Sequence, residues 1–189
     1  MKKATILAAL LVSSSIIFGQ SWSLDKAHSY LGFRYTHLGI AELDGSFKIT
    51  DARFTSSKTD FTDAVIELTG DVNSINTGNE QRDGHLKSPD FFDAAKYPTF
   101  TFKSTSFKKA GDKKYKLTGD FTMHGVTKSV TLDVVFNGTT THPMSKKTIV
   151  GFKITGIIKR SDFGIASSMP SAMLGDEVGL QAGTEFVKE

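Results

Sequence analysis

The chain has 189 residues, including 15 phenylalanines and no cysteine. This length favours a single domain that can bury a sizeable core, and the lack of cysteine excludes disulfides, thiolate metal sites and cysteine nucleophiles. Lysine and arginine number 23 against 20 aspartates and glutamates, a formal net charge of +3. Lys2 and Lys3 supply two of these charges, so the chain after residue 19 is nearly neutral, which does not favour a nucleic-acid partner.

The N-terminus has the pattern of a Sec-type signal peptide. Lys2 and Lys3 precede an apolar run over residues 4–18, and Gly19 is a small residue before Gln20. We predict a signal peptide over residues 1–19 and a mature domain over residues 20–189, in the periplasm or secreted. An uncleaved anchor is the alternative, but the apolar run is shorter than the ~20 residues of a membrane-spanning helix. After cleavage we expect no transmembrane segment.

Most of the remaining sequence alternates between apolar and polar residues with period two, which indicates strands with one apolar face. About eight such runs occur, and several are longer than the usual ~5–6 residues. Their apolar rows are Leu31, Phe33, Tyr35; Leu43, Gly45, Phe47, Ile49; Ala64, Ile66, Leu68, Gly70, Val72; Phe100, Phe102, Ser104; Tyr115, Leu117, Gly119, Phe121, Met123; Val130, Leu132, Val134, Phe136; Val150, Phe152, Ile154, Gly156, Ile158; and Val178, Leu180, Ala182, Thr184, Phe186.

Long antiparallel strands leave exposed edges, which closure into a barrel removes. We therefore predict an all-β fold with a single antiparallel eight-stranded barrel, and a two-sheet sandwich is the alternative. Hairpin turns are predicted at three short segments, Ala110-Gly111-Asp112, His124-Gly125 and Asn137-Gly138.

A helical insertion is predicted over about residues 77–97, where two sets of helix-start signals interrupt the alternation. Thr77 followed by Glu80 is a capping box, and Ser88-Pro89-Asp90 places an N-cap hydroxyl before a first-turn proline and an acid. Pro98 restricts Tyr97 to extended geometry, so a strand can begin there. Two short helical turns result, with Phe91 and Phe92 as apolar plugs.

Residues 74–102, SINTGNEQRDGHLKSPDFFDAAKYPTFTF, resemble the YceI-like, lipocalin-like family of polyisoprenoid-binding proteins. Three further matches support the resemblance, which spans Trp22 to about Phe186. They are His28-Ser29; Gly119-Asp120-Phe121-Thr122 with Gly125-Val126-Thr127-Lys128; and Arg160-Ser161-Asp162-Phe163-Gly164. The resemblance favours the barrel over the sandwich.

The resemblance implies non-catalytic binding of a long-chain apolar lipid inside the barrel, for carriage, storage or an envelope stress response. The lipid would be a polyisoprenoid, such as a polyprenyl phosphate or a quinone tail, and no other cofactor is expected. A homodimer remains open. The residues expected to contact the lipid are Phe33, Tyr35, Phe47, Ile66, Leu68, Arg82, Phe91, Phe92, Phe100, Phe102, Leu117, Gly119, Phe121, Leu132, Val134, Phe152, Ile154, Gly156 and Leu180.

Some of these residues have a second interpretation. Arg82 either meets a lipid head group at the barrel mouth or, as we favour, forms an ion pair with Asp83 or the Arg160–Asp162 region. Gly119 and Gly156 either leave room for a lipid chain or, as we favour, let bent strands turn.

Signals for catalysis or metal binding are weak. The five histidines lack the paired spacing of zinc ligands, no Gly-x-Ser-x-Gly elbow occurs, and the carboxylates are scattered. We therefore expect no catalytic residue and no metal ligand. The rival functions are an enzyme acting on an isoprenoid lipid, and a cell-envelope structural or stress protein with a closed core.

Overall fold

The computed structural model describes residues 19–189, so the predicted signal peptide lies outside the described residues except for Gly19. Nine strands and one α-helix form within this range. They are β1 (Gln20–Leu24), β2 (Tyr30–His37), β3 (Ala41–Ser56), β4 (Val65–Asn76), α1 (Glu80–Leu86), β5 (Thr99–Gly111), β6 (Lys114–Met123), β7 (Val126–Thr141), β8 (Thr148–Lys159) and β9 (Leu174–Lys188).

The strands form one closed antiparallel barrel with eight positions around its circumference. From β2 the order runs through β9, β8, β7, β6, β5, β4 and β3, and β3 pairs again with β2. The predicted eight-stranded barrel is confirmed, because a sheet closed by hydrogen bonds on both sides of every strand is not a sandwich.

Strands β1 and β2 share one position in the barrel. Both pair with β3 and with β9, but β1 pairs with the last residues of these two strands and β2 with their earlier residues. A 3-10 turn over Lys26–His28 separates them, and the Asp25 carboxylate caps it by accepting hydrogen bonds from the amides of Ala27 (2.9 Å) and His28 (3.3 Å).

The predicted apolar rows face the interior, but two β-bulges reverse the alternation within long strands. The register of β3 shifts between Ile49 and Asp51, and that of β5 shifts between Ser104 and Ser106. A bulge adds one residue, so the side chains beyond it change face. Phe54 and Phe107 consequently point into the core although they are out of phase with the start of their own strands.

Two predicted hairpin turns are present and the third is wrong. His124 and Gly125 form the tight β6–β7 turn with φ of 53° and 75°, and β5 joins β6 directly after Gly111. Asn137-Gly138 instead lies inside β7, at a register shift against β8 where Gly138 has a φ of 135°. Gly138 adopts the irregular strand conformation at this register shift, and the chain turns only after Thr141.

Inward glycines are covered by phenylalanine rings of the neighbouring strands. A Cβ atom on Gly70 would lie 2.0 Å from Cζ of Phe100, and one on Gly119 would lie 2.4 Å from Cζ of Phe102. At Gly156 the covering group is Leu132, whose Cδ2 would be 2.4 Å away. These glycines therefore let large side chains of adjacent strands lie flat against the barrel wall.

The two ends of the barrel are built differently. The end here called the helix end carries the β2–β3 and β6–β7 hairpins and the two long connections, residues 77–98 and 160–173. The other end, here called the terminal end, carries the start of β1 and the end of β9, and the connections over residues 57–64, 112–113 and 142–147.

An aromatic plug closes the terminal end. Phe61 projects inward from the β3–β4 connection with a φ of 58°, and its ring packs edge-on against Trp22 and Phe54. The Asp63 carboxylate organises this connection by accepting from the Ser56 hydroxyl (2.5 Å), the Ser57 amide and hydroxyl, and the Lys58 amide (3.2 Å).

Gly70→Ala is expected to destabilise the barrel by about 1–3 kcal/mol, because the new methyl group overlaps the ring of Phe100 in a packed core. Gly151→Ala is the matched control in another strand, since its Cβ would lie no closer than 3.6 Å to any atom. Urea unfolding of both variants tests this. Equal midpoints for the two variants would contradict the covering role of Phe100.

The Asp63 connection predicts a defined pH dependence. Hydrogen bonds from Ser56 and Ser57 hold the pKa of the Asp63 carboxyl well below its ordinary value. A depressed folded-state pKa contributes stability above the unfolded value of ~3.9, and this contribution is lost as the pH falls towards the folded pKa.

Asp63→Asn should therefore lower the unfolding free energy at pH 7 by about 1.5–3 kcal/mol, the scale of hydrogen bonds to a charged group. The difference from the unmodified protein should shrink below pH ~4. Thermal unfolding from acidic to neutral pH measures it, with exposed Asp112 changed to Asn as the control. A constant difference at all pH values would refute the assignment.

Candidate functional site

The barrel encloses a cavity of about 200 Å³. All eight barrel positions contribute to its wall, which runs from Phe54 and Phe186 near the terminal end to Phe92 and Leu174 at the helix end. All lipid-contact residues predicted from the sequence lie on this wall except Arg82, Gly119 and Gly156. The two glycines face inward, but Phe102 and Leu132 fill the space beside them, so neither opens room for a ligand.

Several wall residues were not predicted from the sequence, and the structure shows why. Phe54 and Phe107 lie beyond the bulges of β3 and β5, and Phe61 comes from a connection. An odd spacing between inward aromatic residues of one strand is the signal that marks such a bulge. The other wall residues not predicted as lipid contacts are Leu31, Gly32, Ala52, Ala64, Leu86, Met123, Val130, Ile158, Arg160, Ile165, Leu174, Gly175, Val178, Ala182, Thr184 and Phe186.

Phenylalanine rings give the wall its shape. The ring of Phe47 lies 5.1 Å from that of Phe33, 5.5 Å from that of Phe92 and 5.3 Å from that of Phe100, measured between centroids. Most of these contacts are edge-on or tilted, the geometry that aromatic pairs prefer. The wall is therefore hydrocarbon with few polar atoms.

Arg82 secures the start of the residue 77–98 connection rather than an ion pair. Its Nε donates to the Thr77 hydroxyl (2.8 Å) and its Nη2 to the Thr77 carbonyl (2.7 Å). Asp83 accepts from the amide and hydroxyl of the same Thr77. Within residues 19–189 Arg82 has no carboxylate partner within 4.0 Å, so the predicted ion pair with Asp83 or the Arg160–Asp162 region is wrong.

The predicted capping box is also wrong. Asn79 is the N-cap of α1, because its side chain accepts from the amide of Arg82 (2.9 Å). The hydroxyl of Thr77 is engaged by Asp83 and Arg82, so it is not the cap of the helix.

The second predicted helical turn forms as a series of tight turns instead. The amides of Phe91 (3.0 Å) and Asp93 (2.9 Å) both donate to the Ser88 carbonyl, and Asp93 has a φ of 46°, which ends any helical path. The Ser88 hydroxyl caps nothing, since it is buried without a hydrogen-bond partner. Phe91 and Phe92 nevertheless both reach the cavity wall, where they cover it from the helix end.

Arg160 organises the other long connection at the helix end. It is only 6% exposed, and within residues 19–189 it has no carboxylate within 4.0 Å. Its guanidinium donates to backbone carbonyls, which consume all of its donor groups. The acceptors are the carbonyls of Ile165 (3.1 Å), Ala166 (2.6 Å), Met169 (2.8 Å), Leu174 (3.0 Å) and Gly175 (3.3 Å).

Within the described chain, Tyr35 and Arg160 are the only titratable side chains on the cavity wall. Burial raises the pKa of the Tyr35 phenol, so it stays protonated at neutral pH, and Arg160 has its donor groups occupied by backbone carbonyls. The wall therefore presents no carboxylate, histidine or thiol for proton transfer or nucleophilic attack. What it can do is take up hydrocarbon.

One cluster of candidate metal ligands lies outside the cavity and was not found in the sequence. Asp25, His28 and Glu185 bring ligand atoms within 4.8 Å of one another at the joint between β1 and β2. His28 Nδ1 lies 2.9 Å from Asp25 Oδ2, and this contact raises the pKa of His28. The cap of the 3-10 turn already accounts for the position of Asp25.

Arg160→Met should cost about 3 kcal/mol or more, because it strands buried carbonyls without donors. Arg160→Lys should lose less stability than Arg160→Met, because lysine keeps some N–H donors, although fewer than arginine has. Arg53→Met is the control, since Arg53 is 61% exposed and pairs with Asp51 on the surface, where removing the pair should leave the midpoint nearly unchanged. Urea unfolding measures all three variants. A wild-type midpoint for Arg160→Met would contradict the role given to Arg160.

The chain was compared with known proteins. The family model described as the YceI-like domain matches residues 22–186. Protein YceI of Escherichia coli O157:H7 is 37% identical over 194 residues, which cover 100% of both chains. No helix among residues 19–189 is long and apolar enough to cross a membrane.

Solved structures share the fold of this chain. Burkholderia cenocepacia BcnA superposes with a TM-score of 0.77 at 25% identity, covering 86% of this chain and 98% of its own. A polyisoprenoid-binding domain from Saccharophagus degradans, implicated in plant cell wall breakdown, has a TM-score of 0.63 at 17% identity, covering 89% of this chain and 98% of its own. Because one family model spans nearly all of the barrel and a relative matches along its whole length, the chain belongs to the YceI-like family.

Proposed function

We propose that this protein binds one long-chain apolar lipid inside its barrel and does not convert it. The observation that carries the proposal is a hydrocarbon cavity with wall residues from every barrel position and only Tyr35 and Arg160 as titratable wall residues. The Saccharophagus degradans domain of the same fold is described as polyisoprenoid-binding, which supports a polyisoprenoid, such as a polyprenyl phosphate or a quinone tail, as the lipid.

Binding energies favour a long chain. Burial of each CH₂-sized unit contributes ~0.8 kcal/mol, so one isoprene unit contributes at most about 4 kcal/mol. Association costs about 4–15 kcal/mol before any net affinity appears. One or two isoprene units therefore barely offset the cost, whereas four or more give a stable complex.

The size of the cavity adds a requirement. Its volume of about 200 Å³ is smaller than that of ligand pockets, which hold ~300–1,000 Å³. A long chain therefore needs some wall rings to turn aside. Phe92 is suited to this movement, because it lies on the helix-end connection and is less buried than Phe91.

The two rival functions fit the cavity less well. An enzyme acting on an isoprenoid needs polar groups at a reacting atom, and Arg160 already spends its donors on backbone carbonyls. A purely structural protein with a closed core needs no cavity inside the barrel. We further propose that residues 1–19 are removed on export, and that residues 20–189 act in the periplasm or outside the cell in lipid carriage, storage or an envelope stress response.

Native mass spectrometry of the purified protein, followed by organic extraction, tests the proposal directly. We expect a mass increment that matches one lipid per chain, and an extract that contains an unmodified polyprenyl compound. Failure of lipid-free protein to bind long polyprenyl compounds in calorimetry would refute lipid binding. Chemical change of added lipid would refute the non-catalytic part.

Ala182→Leu should fill the cavity from β9 and weaken polyprenyl binding at least about tenfold, with little loss of stability because a void is available. The matched control is Gln181→Leu, which places the same side chain on the outer face one residue earlier in the same strand. Calorimetric titration and thermal unfolding separate affinity from stability. Undiminished binding by Ala182→Leu would place the lipid outside this part of the barrel.

A further inference from the structure

The tip of the β2–β3 hairpin exposes apolar side chains in a backbone conformation that is unfavourable for one of them. Leu38 has a φ of 52° and Gly39 a φ of 70°, and the amide of Ile40 donates to the His37 carbonyl (3.2 Å). Two successive positive φ values make this a type I′ turn, whose first central position favours asparagine, aspartate or glycine. A bulky side chain with a positive φ is an outlier.

The leucine gains no compensating burial in the fold. Leu38 is 50% exposed and Ile40 is 86% exposed, so neither side chain is buried in the core. A turn residue that is strained and also leaves apolar surface in water indicates a role outside the fold. Asparagine would be the better residue for stability at this position.

A third exposed side chain continues this surface towards the cavity. Met173 is 50% exposed, and its carbonyl accepts from the amide of Leu38 (2.9 Å). The next residue, Leu174, lies on the cavity wall. Leu38, Ile40 and Met173, here called the apolar tip, therefore stand at the helix end beside the cavity.

The size and charge of the apolar tip favour a lipid bilayer over a protein partner. Three partly exposed side chains amount to a few hundred Å² at most, well below the ~800 Å² per partner of a specific protein interface. The charged residues nearest along the hairpin pair with one another, since Arg34 lies 2.7 Å from Asp44 and 3.5 Å from Glu42, and one net negative charge remains. A small, convex projection whose own three side chains carry no charge is suited to insertion into the interfacial layer of a membrane.

We propose that the apolar tip is a membrane-docking site, through which the helix end of the barrel rests on a bilayer while lipid enters or leaves. This proposal rests on the proposed function, because docking serves the exchange of a bound lipid with the membrane. The docking contact is weak and reversible, on the order of the ~10⁴ M⁻¹ partitioning of a single acyl anchor, as a carrier that must leave the membrane requires. Because apolar contact dominates, vesicle binding should change little with salt concentration.

Flotation with vesicles of phosphatidylethanolamine and phosphatidylglycerol tests the docking site. Leu38→Asn and Met173→Gln should each reduce vesicle binding several-fold, and the double variant should reduce it by about tenfold or more. Leu38→Asn should also keep or raise the thermal midpoint, because asparagine suits the turn. The matched control is Met144→Gln, the same substitution at a methionine that is 85% exposed at the terminal end. It should bind vesicles like the unmodified protein.

Occupancy with a fluorescent polyprenyl compound, loaded in detergent, is measured in parallel and should be equal in all variants. If the unmodified protein binds no polyprenyl compound, the proposed function is refuted. The vesicle result then still decides whether the apolar tip docks on a membrane. Vesicle binding that is absent, or equally strong in the tip variants, would overturn the docking site. A dimer in sedimentation that Ile40→Thr dissociates and Met144→Gln does not would assign the tip to a second copy of the chain and overturn it as well.

Discussion

Closure of the sheet is the constraint on which the rest of this molecule depends. Each strand is paired on both sides, so the inward side chains of all strands meet in one interior. Eight strands produce an interior just wide enough to be filled by side chains or to hold one small ligand. The interrupted β1–β2 pair shows how strict the requirement is, because two short strands in series complete a position that one strand occupies elsewhere.

Within that interior, the packing of rings against glycines decides how much space remains. A phenylalanine that lies flat over a glycine of the next strand occupies the wall instead of the centre. Phe100 over Gly70 and Phe102 over Gly119 are the clearest examples. The cavity along the centre is consequently a product of where the rings lie, and Gly70, Gly119 and Gly156 do not line it.

The two ends of the barrel are suited to different tasks. The terminal end is packed with aromatic rings and held by the hydrogen bonds of Asp63. The helix end is closed by two connections that hold their shape mainly through hydrogen bonds to backbone groups, with Arg160 organising one and Arg82 the other. A cover built in this way shares few strand hydrogen bonds with the barrel, so the helix end is the end that can open more easily.

The sequence by itself determined the all-β class and most of the wall of the cavity, because period-two alternation records directly which face of each strand is buried. The family, and the barrel in preference to a sandwich, came from the resemblance carried by residues 74–102 and the three further matches. Only the tertiary structure decided the roles of Arg82, Arg160, Phe54 and Phe107. A bulge leaves only an odd spacing between inward residues in the sequence, and strand pairing decides where the alternation reverses. The partners of a buried arginine come from backbone groups that no side-chain pattern encodes. Local sequence therefore specified which way each strand faces, whereas the filling of the interior and the building of its ends depended on contacts between residues far apart in the chain.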